Sequence, residues 1–73
     1  MIATHIGPHV YQLWLNDQHA AAVRKVPGVA MLRKDAWGSY GLVTADKAPA
    51  RRGTKYIFAD IGEIIGEQVE VRG

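Results

Sequence analysis

The 73-residue chain has no cysteine. That absence excludes disulfides and thiolate zinc sites as staples and predicts a reducing cytoplasm as its home. It also has no uninterrupted apolar run approaching the roughly 20 residues that span a bilayer, and Met1-Ile-Ala-Thr-His-Ile-Gly-Pro8 lacks a basic leader followed by an apolar stretch. No membrane role is expected. Serine occurs once, at Ser39, and only three prolines interrupt the chain. What is present is ordinary for a folded domain: 48% hydrophobic and 22% charged residues supply enough apolar surface to offset the entropy of ordering. A chain this short makes one domain over residues 1–73, burying about 60% of its unfolded surface and leaving no room for a deep cleft.

Charge is distributed unevenly. Eight of the nine Lys and Arg residues fall between Arg24 and Lys55, where Asp35 and Asp46 reduce the balance to +6. From Tyr56 onward, Arg72 set against Asp60, Glu63, Glu67 and Glu70 leaves −3. Two readings stay open: a solvated surface whose opposite charges face each other across the fold, or a binding face with a local positive field.

His9-Val-Tyr-Gln-Leu-Trp-Leu15 reads as the first strand, with Tyr11, Leu13 and Leu15 on one face and Val10 and Trp14 on the other. Both faces are partly apolar, which suits a central strand covered by a helix on one side and a further element or a partner on the other. Asn16 or Asp17 caps a helix over residues 17–26, Arg24 and Lys25 sit at its negative end, and Pro27-Gly28 stops it. Its apolar stripe of Ala20, Val23 and Val26 is narrow, so docking to a sheet must hold it. Residues 29–34 and 40–44 form a hairpin around the turn residues Asp35-Ala-Trp-Gly-Ser39. A basic loop follows over 45–53, then a strand over 54–60, a turn over 61–66 and a terminal strand over 68–72 in which Val69 and Val71 face inward. The predicted fold class is α+β: a mostly antiparallel sheet of four or five strands with one short α-helix between the first two strands.

Chemical constellations are missing. His5, His9 and His19 have neither cysteines nor the spacing of a metal site, so no metal ligand set and no cofactor are expected. Ser39 lies in Trp37-Gly-Ser-Tyr-Gly41 inside a hairpin, not in the strand-to-helix elbow of a catalytic serine, so no catalytic residue is assigned. Arg51-Arg-Gly-Thr-Lys55 has the composition of a phosphate cradle but not its earlier glycine or its following helix.

Recognition is left as the property the residues support. Arg51, Arg52 and Lys55 lie near Tyr40 and Tyr56 in sequence, and Arg33, Lys34 and Trp37 cluster in the hairpin; guanidinium groups beside aromatic faces can stack bases or engage a protein surface. Tyr11 and Trp14 on the first strand are the alternative contact residues. Taken whole, through its size, the strand Val10 to Leu15, the following helix and the basic loop at Arg51-Arg52, the chain resembles small bacteriophage-encoded inhibitors of bacterial RNA polymerase that also act as antiterminators. The resemblance implies a monomeric, non-enzymatic protein in the host cytoplasm. It further implies binding to the host bacterial RNA polymerase and inhibition of transcription initiation; separately, because phosphate neutralisation falls steeply with salt, no tight direct contact with nucleic acid is expected. Two alternatives remain, a phage inhibitor of a bacterial defence complex of the anti-CRISPR type and a small nucleic-acid-binding domain.

Overall fold

Alternating apolar and polar side chains organise the first half of the chain. A computed structural model describes the backbone of residues 1–44 and 54–73, and the side chains of all of these except Thr54 and Lys55. The predicted basic loop over 45–53, with Arg51 and Arg52, lies outside the described residues. Strand β1 (Ile2–Gly7) turns at Pro8-His9 into β2 (Val10–Leu13). His9 takes φ 62°, the left-handed value that a tight turn after proline requires, and its carbonyl accepts the Thr44 backbone N–H at 2.8 Å. Helix α1 (Asp17–Val23) follows, then β3 (Val29–Lys34) and β4 (Tyr40–Thr44), helix α2 (Thr54–Ile65) and β5 (Glu70–Arg72).

The five strands form one sheet in the order β3-β4-β2-β1-β5. Pairing is antiparallel except between β1 and β5, which run parallel with Ala3 opposite Val71. The fold is therefore α+β with a mixed sheet, and both helices cover the same face of it. Tyr11 and Leu13 of β2, Leu32 of β3, and Tyr40 and Leu42 of β4 point to that face, where Ala20, Val23 and Val26 meet them from the α1 side and Ile57, Phe58 and Ile61 from α2. Tyr11 anchors this layer, stacked on His5 with ring centroids 4.6 Å apart and edge-on to Phe58 at 5.0 Å.

The helix prediction is sound at its start. Asn16 is the N-cap and its side-chain oxygen accepts the His19 backbone N–H at 2.7 Å. The helix closes at Val23, three residues short of the predicted end, although Val26 still reaches the core.

Three expectations are corrected. Residues 54–60 are not a strand and 61–66 not a turn, because Ile57, Phe58, Ile61, Ile64 and Ile65 recur at helical spacing and all turn toward the core. Among the described residues there are thus two helices, and α1 joins the second strand to the third. The fifth strand comes instead from Ile2–Gly7, whose only fully buried side chain is the small Ala3.

Gly62 makes the C-terminal reversal possible. A Cβ there would lie 2.8 Å from the Glu67 carbonyl oxygen, because the chain turns at Gly66, with φ 78°, and folds back across the helix. The Gly62 carbonyl accepts the N–H groups of Gly66 and Glu67 at 2.9 and 3.2 Å, closing the helix in the manner of a left-handed C-cap.

Candidate protein-binding face

Both helices cover one face of the sheet, and among the described residues nothing covers the other. In the central register Met31 of β3 stands opposite Val43 of β4, and Val43 opposite Val10 of β2, with Ile6 beside them at the irregular step of β1. Ile6 is 57% exposed and Met31 48%. The next register carries Arg33, Gly41, Gln12 and Thr4. Gly41 has no side chain, so a shallow groove crosses the face there between Ile6 and Arg33. Five strands spaced about 4.8 Å apart and some five residues long give the whole of this face, polar positions included, on the order of 400 Å².

The end of the face is built by a polar clasp. Asp35 accepts the backbone N–H groups of Trp37 and Ser39 at 2.8 and 3.1 Å, the Gln12 amide at 3.2 Å and the Ser39 hydroxyl. The Ser39 oxygen in turn accepts Gln12 Nε2 at 2.8 Å. The Ser39 hydroxyl, followed by the backbone and Gln12 donors, holds the Asp35 carboxyl below the usual carboxylate range despite the opposing cost of desolvation. Ser39 is fully buried and engaged in this clasp. Trp37, at the tip, is 85% exposed, and Trp14, 62% exposed, lies with its ring 3.8 Å from where a Gly38 Cβ would stand. The Trp14 ring thus lies against the turn that carries Trp37, and two exposed indoles sit at the end of the sheet where β3 reverses into β4.

A second cluster lies under the sheet. The Tyr40 hydroxyl donates to Asp17 Oδ1 at 2.6 Å and Lys34 Nζ reaches the same oxygen at 3.2 Å. The Tyr40 bond and then Lys34 lower the Asp17 carboxyl, while the same bond and burial raise Tyr40. Arg24 donates to the Leu32 carbonyl at 3.3 Å, with its guanidinium 6.0 Å from the Tyr40 ring centre.

The predicted recognition residues therefore separate. Arg33 stands on the open face in register with Gly41, and Trp14 and Trp37 lie at the end of the sheet by the β3–β4 turn. Lys34 is tied to Asp17. Tyr11, predicted as a surface contact, is only 6% exposed and belongs to the core, because the strand face it shares with Leu13 is the one the helices cover. Tyr40 is likewise buried, and Tyr56 projects from α2. Lys55 belongs to the first turn of α2 and not to a strand. Sequence reasoning missed Met31 and Ile6, although Met31, between Ala30 and Leu32 in an apolar run, is the β3 residue whose alternation points away from Leu32.

Among the described residues, basic and acidic stretches meet where Lys25, just after α1, lines a hollow with Asp60 and Glu63 of α2, while their other charges lie at opposite edges of the sheet. β3, with Arg33 and Lys34, is one edge of the sheet, and β5, beside Glu67 and Glu70, is the other. Among the described residues no group of three His, Asp or Glu side chains is placed to hold a metal, and no helix is long and apolar enough to cross a membrane. Comparison with known protein families, with curated proteins and with solved structures finds no match to the chain.

Proposed function

We propose that this protein is a non-enzymatic binding module that docks the open face of its sheet on a protein partner in the bacterial cytoplasm. The observation that carries the reading is the row Met31, Val43, Val10 and Ile6 on a sheet face that no described residue covers, with Arg33 beside the row and the exposed Trp14 and Trp37 at the turn end of the sheet. Tryptophan and arginine around an apolar centre are the residue types that dominate protein interfaces energetically. A stable interface buries about 800 Å² per partner, more than the sheet face alone offers, so the partner must reach past the sheet onto the two indoles. The partner that the chain's resemblance to small phage transcription inhibitors implies is the host RNA polymerase, bound so that initiation is blocked and antitermination promoted.

Direct nucleic-acid binding is the weaker reading, because Arg24 and Lys34 are engaged by Leu32 and Asp17 within the fold. Phosphate neutralisation by the remaining cations would fall steeply with salt. Mixing the purified chain with core and sigma-bound polymerase tests the proposal: comigration and reduced promoter-dependent transcription are expected, with no component cut or modified. No comigration at micromolar concentration, or submicromolar salt-resistant binding to a nucleic acid instead, would overturn it.

A further inference from the structure

At the opposite edge of the molecule, α2 overhangs β5 and leaves an apolar groove of about 770 Å³ whose lining includes Phe58, Ala59, Gly62, Val69 and Val71. Among the described residues β5 is an edge strand, with β1 as its only neighbour in the sheet. Its Glu70 N–H donates to the Met1 carbonyl at 2.8 Å, and alternation therefore turns the N–H and C=O of Val71 outward, toward the groove side of the edge. Val71 also leaves its side chain 44% exposed there. Glu63 and Glu67 form the rim, and the negative end of the α2 dipole lies beside them. Glu67 is already paired with the Met1 ammonium at 2.6 Å, whereas Glu63 is exposed.

We infer that this edge is a second binding site, which takes an extended protein segment as a sixth strand beside β5, its apolar and basic side chains alternating along the one strand face that is turned toward α2. The free backbone edge supplies the pairing, the groove under α2 takes the apolar side chains, and the acidic rim selects basic residues over acidic ones. This site is separate from the open sheet face, and its occupant need not be the partner proposed above.

A blocked, fluorescein-labelled eight-residue peptide Thr-Val-Thr-Lys-Thr-Val-Thr-Lys, whose valines and lysines share one strand face, is added to the full chain and tests the inference by anisotropy and by backbone amide exchange. Binding should slow exchange at Val71, and the same peptide with glutamate in place of lysine should not bind. Glu63→Lys should weaken the lysine peptide by up to about fivefold, the worth of one exposed ion pair. Val71→Pro, which removes an outward donor but no bond to β1, should abolish binding while the chain stays folded by circular dichroism. Arg33→Glu on the far edge should change nothing. The inference is overturned if neither peptide binds, if both bind equally, or if Glu63→Lys and Val71→Pro both bind like the unaltered chain. It is also overturned if the chain self-associates through this edge, which would make a second copy the occupant.

Discussion

Replacing Gly62 with alanine decides between two opposed effects. In a helix interior, Gly→Ala gains about 1 kcal/mol from backbone entropy and propensity. Here the new methyl would stand 2.8 Å from the Glu67 carbonyl oxygen, a backbone atom that cannot swing aside as a side-chain tip would. Relief requires the reversal after Gly66 to move off the helix, straining the two bonds that Gly62 accepts from Gly66 and Glu67. Overpacking of this kind costs about 1 to 3 kcal/mol, so the net change is a loss of about 1 kcal/mol. In a domain of this size that lowers the melting temperature by about 4 to 8 °C. Ala59→Gly, at an exposed position of the same helix, measures the propensity contribution separately and should cost about 1 kcal/mol. Urea titration followed by circular dichroism gives both values, and amide exchange should show β5 loosening in Gly62→Ala. A Gly62→Ala chain that is more stable than the unaltered one by the full propensity would refute the close approach of helix and reversal.

Three further outcomes are expected. Phe58→Ala, which removes a 4% exposed ring in edge contact with Tyr11, should cost about 3 to 5 kcal/mol and unfold much of the population at 25 °C, as read by near-ultraviolet dichroism. Stability should fall at both ends of the pH scale. Asp17 and Asp35 are lowered by folding, so their contribution is present above the usual carboxylate range and is lost as pH falls through their folded values; Tyr40 is raised, so its contribution is present below about pH 10 and is lost as pH rises through its folded value. Urea midpoints from pH 2 to 11 should show both limbs, and Tyr40→Phe should flatten the alkaline one. Reversing Arg51 and Arg52 to Glu should leave the fold intact and slow association with the partner, an effect that shrinks with added salt, because exposed charges steer encounter more than they hold a complex.

Local signals carried β2, α1, β3 and β4. The Asp35-to-Ser39 turn and the Asn16 cap are short-range chemistry, and the boundaries at Val29, Lys34, Tyr40 and Thr44 follow from them. Alternation also separated Trp14 from Leu13 correctly. The α2 misreading has a physical source: Tyr56, Ile57 and Phe58 are strand-favouring residues, and Gly62 resembles a turn when the window stops there. Extended to Ile65, the spacing is helical, and Gly62 is retained for the chain that crosses it. β1 carried little signal because its one fully buried side chain is a single alanine, and its parallel pairing with β5 joins residues almost seventy positions apart. The open face became visible only with the sheet order, since Met31, Val43, Val10 and Ile6 come from four strands.

The measurement that bears most directly on the open face is the affinity of a Trp14→Ala, Met31→Glu double variant for sigma-bound RNA polymerase, beside its melting temperature. Both side chains are mostly solvent-facing, at 62% and 48% exposure, so the fold should persist. Loss of one interfacial tryptophan anchor is worth about 2 kcal/mol or more, so the dissociation constant should rise by at least about thirtyfold. Unchanged affinity in a folded double variant would contradict the account and leave the sheet face as ordinary solvent-exposed surface.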